Sequence, residues 1–314
     1  MTGPLDSARP AWGRLHAGLA RPGPAMFALS VFGAIYTAWF FGIIGREVGS
    51  AGYDAFAYWD VRLDDLYGRS MGNLTAFGAF RYSPPVAMAL APLHGFAWTD
   101  FFWVLSCLLV GTLAYLGGRW TLAVLAFPGI AVSLYEGNID LFLAASVAVG
   151  IVSPIAWVFP LLTKPTMAVC LLWFAVRREW RALAVALGAT TAIVLVSAAL
   201  RPDLWTGYFA MLGDNARLPT GQELGPLWLR LPAAAILVVF AARTDRPWIV
   251  ALAAALAQPL FGLRSASVAL GAVYLWRHRP VGARPGPRGA GDPRALGPEA
   301  SPPDLRVPTG SGPP

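Results

Sequence analysis

The sequence predicts an all-α protein, a polytopic transmembrane helical bundle of roughly 8–10 spans with several of them short or broken. Three observations carry that reading. Of 314 residues 56% are hydrophobic and only 13% charged, where a soluble domain holds about 25% charged. Mean hydropathy is +0.55. The apolar residues also fall in long runs bounded by Arg or Pro, as they do in helices that cross a bilayer.

Residues 1–24 hold Arg9, Arg14 and Arg21 with prolines and a single acid, Asp6, and read as a weakly ordered cytoplasmic arm. Residues 25–279 form the transmembrane domain. Its first apolar run, Ala25–Gly45, has the length of one span and no A-x-A cleavage pattern behind it, so it is an anchor and not a signal peptide. With the basic arm inside, residues 46–85 become an outer loop. The further apolar runs are Pro84–Gly95, Trp98–Gly117, Trp120–Tyr135, Ile139–Val152, Pro154–Val176, Ala182–Leu200, Leu227–Ala242, Trp248–Leu263 and Ser265–Trp276. Several fall short of the ~20 residues a full crossing needs. Such segments point to helices that end inside the membrane around a protein-lined or water-filled cavity.

Arg177, Arg178 and Arg181 mark a cytoplasmic turn, and residues 201–225 a second outer loop. Arg243 and Arg246 return the chain inside, and Arg277, His278 and Arg279 keep the C-terminus there. Arg119 fits neither side, and Pro154–Val176 reads equally as one helix or a broken pair. Residues 280–314 are Pro, Gly, Ala and Arg without apolar periodicity, a disordered cytoplasmic tail. The expected location is the plasma membrane, multi-pass, with both termini cytoplasmic.

The formal charge of +7 comes from arginines scattered at the ends of apolar runs and in the termini. That is the positive-inside pattern, and no basic stripe marks a nucleic-acid partner. Cys107 and Cys170 each lie in an apolar run, as buried thiols do. His16, His94 and His278 are far apart, and no His/Cys spacing matches a zinc site. No internal repeat of the kind many transporters carry is visible.

The longest polar interval inside the apolar domain is GSAGYDAFAYWDVRLDDLYGRSMGNLTAFGAFRYSPP, residues 49–85. It holds Asp54, Asp60, Asp64 and Asp65 beside Arg62, Arg69 and Arg81, interleaved with aromatics. Asp54 stands a few residues past the first span. The plain reading is a capping or solvated acid; the functional one is a general base for a substrate hydroxyl at the membrane surface. The two stand about even. Asp64 and Asp65 have the look of an amphipathic helix on the membrane. Arg81 is either an interfacial anchor or an anion contact, since guanidinium matches phosphate geometry.

Lys164, in PLLTKPT, is the only lysine of the chain and lies in an apolar run. A charge there faces a cavity or a partner. A snorkelling role is disfavoured by the proline that follows, which breaks the helix. A cation for a phosphate group is the favoured reading. The turn YEGNID places Glu136, Asn138 and Asp140 between apolar runs, and a simple connecting turn is a strong explanation of it. Arg264 is a topological marker or a second phosphate contact.

Four stretches taken in order resemble the integral-membrane glycosyltransferases of the GT-C superfamily, and most closely glycosyltransferase family 87. They are GYDAFAYW with DDLYG, FRYSPPVAMALAPL, YEGNIDLFLAA and LLTKPTMAVCLLWFAVRREWRA, with a weaker echo in GQELGPLWLRLP. They answer to the family's acidic first loop, its aromatic-Tyr-x-Pro segment, its Gly-Gln-x-Asn turn and its Lys-Pro helix with a basic exit. Where the family carries a late Ser-Pro-x-Ser-Trp-x-His-His stretch, this chain reads AQPLFGLRSAS, without histidine.

The resemblance implies a GT-C-type bundle and a polyprenyl-phosphate-sugar donor, with mannose the expected sugar. It implies a glycolipid or glycan acceptor at the outer membrane face. Asp54 then becomes the catalytic base, Lys164, Arg81 and Arg264 the donor-phosphate contacts, and Tyr58, Tyr82 and Asn138 the substrate contacts. No nucleotide-binding glycine motif is present, which agrees with a lipid-linked donor. No cofactor is expected; the paired acids of the first loop offer a divalent metal at most a weak hold. The rival readings are a non-enzymatic flippase or transporter of lipid-linked sugars, which needs no external base, and an inactive family member.

Overall fold

The computed structural model describes residues 23–215 and 225–278. Among them every regular element is helical and there is no strand. The chain runs through α1 (Pro24–Trp39), α2 (Tyr53–Trp59), α3 (Pro84–Leu90), α4 (Trp98–Gly117), α5 (Pro128–Glu136), α6 (Asp140–Gly150) and α7 (Val158–Thr163). It continues through α8 (Trp180–Leu200), α9 (Pro202–Asn215), α10 (Leu227–Thr244), α11 (Trp248–Leu256) and α12 (Leu270–Arg277), with shorter turns between.

Among the described residues four helical stretches are long and apolar enough to cross a membrane: Pro24–Ile43, Trp98–Val124, Trp180–Leu200 and Leu227–Thr244. The α5–α6 pair, bent by 113°, makes a fifth if it counts as one span. This is fewer than the eight to ten apolar runs of the sequence. Proline and glycine cut the remaining runs into short helices, such as Pro154–Thr163 and Pro165–Val176, that pack inside the bundle. The Lys-Pro segment is thus broken, with Lys164 itself extended (φ −136°, ψ 80°) at the break. Arg119 lies in a tight turn within the single stretch Trp98–Val124 and marks no loop.

The core follows from the apolar spacing. α4 buries Leu105, Leu109, Leu113 and Leu116, one stripe at helical period. α11 is apolar all round and buried nearly all round, packed between α10 and α12, as a central helix must be. The Arg277 guanidinium donates to the Gly117 carbonyl at 2.6 Å, which satisfies an orphan acceptor at the C-terminal end of α4.

Two loop expectations change. Residues 202–215 of the second polar loop are the helix α9, whose Leu204, Tyr208, Met211 and Asn215 form a buried stripe. That 4-3-4 spacing lies within a mostly polar stretch. Pro202 opens the helix and Asp203 sits in its first turn, where a carboxylate suits the dipole. Residues 216–224, the arm before residue 23 and the tail 280–314 lie outside the described residues. Asp64 and Asp65 are exposed on irregular chain, not on an amphipathic helix.

The two polar segments meet. Arg201 donates to the Leu63 carbonyl at 3.3 Å and Asn215 to the Ser70 carbonyl at 2.8 Å, while the Tyr67 and Tyr208 rings lie 5.7 Å apart. They therefore share one end of the bundle.

Candidate active site

Asp54 is the centre of the site. α2 is only seven residues long, and its N-terminus is set by Gly52, which adopts φ +72° and donates its N–H to the Tyr135 carbonyl at 2.9 Å. The first turn of α2 is thereby pinned to the end of α5, and its inward face carries Asp54 and, one turn on, Tyr58. Asp54 is 1% exposed. A carboxylate buried this far must be paired to stay charged.

Its partners come from three distant segments. Arg81 Nη2 donates to Oδ1 at 2.9 Å. Asn138 Nδ2 donates to Oδ2 at 2.6 Å, and Arg264 Nη1 to the same oxygen at 3.3 Å. Gly137 brings Asn138 there. It sits at the 113° elbow between α5 and α6 with φ +69°, and an added Cβ would stand 2.6 Å from the Ala55 Cβ. Only glycine allows both that backbone conformation and that approach to α2.

The elbow also carries Glu136 and Asp140. Glu136 Oε2 accepts from Arg264 Nη1 at 2.5 Å. The Asp140 backbone N–H donates to Asn138 Oδ1 at 2.8 Å, and its fully buried carboxylate accepts from Lys164 Nζ at 2.5 Å. Hydrogen bonds therefore run without a break from Arg81 through Asp54, Asn138 and Asp140 to Lys164. Three carboxylates (Asp54, Glu136, Asp140) stand against three cations (Arg81, Lys164, Arg264), so the cluster is formally neutral.

Tyr58 and Tyr82 complete one wall, their hydroxyls 3.1 Å apart. Burial pushes the Tyr58 phenol well above its ordinary pKa, and Tyr82 and the Asp54 charge add to that. Burial likewise raises Tyr82, with Arg81 opposing. Both stay protonated donors in the physiological range. At Arg264 burial works against the charge, but Asp54 and Glu136 outweigh it and hold the guanidinium above its usual pKa.

All seven residues singled out in the sequence converge: Asp54, Tyr58, Arg81, Tyr82, Asn138, Lys164 and Arg264. Lys164 differs from expectation in one respect, being already paired to Asp140. Sequence reasoning assigned no role to Glu136 and Asp140, whose turn looked like a linker, and passed over Arg230. That arginine is 3% exposed in α10 and donates to the carbonyls of Leu256, Gln258 and Pro259 at 2.7–3.3 Å. It ties down the end of α11 and the backbone leading to Arg264. Its signal was the one that exposed Lys164, a charge inside an apolar run. Among the described residues no group of three or more His, Cys, Asp or Glu side chains is arranged to hold a metal ion.

Fold and site together define a class: an integral membrane protein whose charged side chains converge at a broken stretch of its bundle, under a partly helical loop. The family follows from comparison. Residues 80–288 match glycosyltransferase family 87, and the chain belongs to that family. It is a membrane glycosyltransferase. Arg81, Tyr82, Asn138, Lys164 and Arg264 lie inside the matched region; Asp54 and Tyr58 precede it and reach it through the contacts above. No curated protein and no solved structure matches the chain.

Proposed function

We propose that the protein is a GT-C-type hexosyltransferase that moves mannose from a polyprenyl-phosphate donor to a hydroxyl of a glycolipid or glycan. The reaction takes place on the outer face of the plasma membrane, with both termini cytoplasmic. The observation that carries this is the convergence on Asp54 of two arginines and an amide from far-apart segments. A carboxylate has about four lone-pair sites. Three donors occupy Asp54, two of them on Oδ2, so Oδ1 keeps a lone pair for a substrate proton.

In this mechanism the acceptor oxygen attacks the anomeric carbon while its proton passes to Asp54. The bond between that carbon and the phosphate oxygen breaks with inversion, and the lipid phosphate leaves with the electron pair. Arg264 and Arg81 stabilise the charge that grows on the phosphate, the usual role of fixed cations at a leaving group. Lys164 adds a further donor, since its ammonium has three protons and one is given to Asp140. Tyr58, Tyr82 and Asn138 position the sugar.

The test is transfer from radiolabelled polyprenyl-phosphate mannose to membrane lipids by wild type, Asp54→Asn and Lys164→Ala. Loss of a general base costs about 10²–10⁴-fold, so Asp54→Asn should fall by that factor. Equal incorporation by wild type and Asp54→Asn would remove the base assignment. A flippase would keep moving lipid-linked sugar across vesicles in Asp54→Asn and show no transfer in either protein.

A further inference from the structure

Every cation of the site already has a carboxylate on it, and the cluster carries no net formal charge. An incoming phosphate must therefore take a cation from a resident anion. The pairs differ in how readily they can give way. Asp140 is fully buried and Asp54 is 1% exposed, while Lys164 and Arg81 are 12% and 17% exposed. Arg264 and Glu136 are 27% and 17% exposed, the one pair with both partners reached by solvent.

Their attachment differs as well. Asp54 is held by three donors, and removing one would leave a buried charge short of partners, which costs several kcal/mol in general. Glu136 is held through a single 2.5 Å contact from Arg264 to Oε2. It is the last residue of α5, directly before the Gly137 elbow, and its longer side chain can swing without moving Asn138. Arg264 in turn is fixed from behind: Ser133 Oγ donates to its carbonyl at 3.4 Å, and Arg230 clamps the backbone that leads to it. With Asp54 Oδ2 still 3.3 Å from its Nη1, the Arg264 guanidinium keeps a partner when Glu136 leaves, and the carboxylate is the movable half.

We propose that Glu136 is a placeholder for the donor's phosphate: it occupies Arg264 in the empty site and yields it when the phosphate arrives. This rests on the reading of Arg264 as a phosphate contact, and it names the residue that sets donor affinity. Two consequences follow. The empty site keeps Arg264 pointed at the reaction centre with its charge compensated, and donor affinity is lowered by the fraction of time Glu136 holds the position. The phosphate itself comes either from a lipid or from a nucleotide sugar, and the binding arms below separate these.

The experiment uses full-length protein in nanodiscs, wild type against Glu136→Gln, with three probes: decaprenyl phosphate, a nucleoside diphosphate and inorganic phosphate. The neutral glutamine keeps the size and gives up the charge. Affinity for one phosphate probe should rise about tenfold, and KM for the donor should fall more than kcat changes. A merely structural Glu136 would instead lower stability and kcat and leave affinity unchanged or weaker. Tightening toward decaprenyl phosphate alone supports both the placeholder and a lipid donor. Tightening toward the nucleoside diphosphate alone supports the placeholder and overturns the lipid donor. Tightening toward inorganic phosphate alone overturns the proposal, because neither class of donor then takes the position that Glu136 gives up. No tightening toward any probe overturns the placeholder. Should Glu136→Gln fail to fold, a wild-type structure with decaprenyl phosphate decides. Glu136 and Arg264 separated beyond ion-pair range, with phosphate on Arg264, supports the proposal, and an intact pair defeats it.

Discussion

Asp54 and Asp60 stand at the two ends of the same short helix, both flanked by aromatics and both paired to two arginines, yet they are different objects. Asp60 binds Arg62 and Arg69, two and nine positions along the chain, at 3.1 and 2.6 Å, with His94 looser at 3.6 Å. Asp54 binds Arg81, Asn138 and Arg264, which are 27, 84 and 210 positions away. The first cluster staples a loop to itself. The second can form only when the whole bundle is assembled, and that long-range convergence separates a site from a surface ion pair.

The widest gap between the two should open when each loses one arginine. Arg81→Met should lower transfer by about 10²–10³-fold, the usual cost of removing a charge-stabilising donor, and destabilise the protein by about 3 kcal/mol because Asp54 stays buried. Arg69→Met should leave transfer close to wild type. Initial rates and thermal unfolding of both variants in one detergent measure the contrast, and similar losses in the two would erase it.

A subtler break leaves every charge in place. Gly137→Ala puts a methyl 2.6 Å from the Ala55 Cβ at a backbone position of φ +69°, which should push Asn138 off Asp54. Transfer should drop about tenfold by slackened positioning while donor affinity holds. An unchanged rate would show that the elbow tolerates the shift.

The smallest effect belongs to Asp60. Burial works to raise its pKa, but hydrogen bonds from Arg69 and Arg62 prevail and hold it below the ordinary carboxylate value. A depressed folded pKa stabilises above the unfolded value and loses that stabilisation as pH falls through the folded one. The melting-point advantage of wild type over Asp60→Asn should thus be present at pH 7, begin to shrink near about pH 4, the unfolded carboxylate value, and be lost only as pH falls through the lower folded one. An advantage that persists at low pH would mean that charge is not its source.

The sequence made much of this legible, for physical reasons that differ by residue. Lys164 and the helical, lipid-type composition were plain because charge in an apolar run is costly wherever it occurs. Asp54 was a candidate, but sequence left it even with a capping acid, because its three partners are invisible until the chain folds. Glu136 and Asp140 read as a linker because a polar turn and a polar site have the same local composition. The short, broken helices were foreseeable from the prolines, but which of the apolar runs are full-length helices was not, because apolarity marks a helix buried in protein as readily as one that meets lipid. α9 was read as loop because its buried stripe has only four members among polar neighbours.

The distance along the chain between Asp54 and Arg264 has a consequence for biogenesis. Arg264 is made 210 residues after Asp54; at about 5–20 residues per second, roughly 10–40 s pass between them. Through that interval Asp54 lacks one of its two counter-cations, although Arg81 and Asn138 are already made and can hold it. The complete cluster cannot form before residue 264 has been made. A chain arrested before residue 264 would hold the three carboxylates of the site against two cations, Arg81 and Lys164, and so an uncompensated negative charge in its interior.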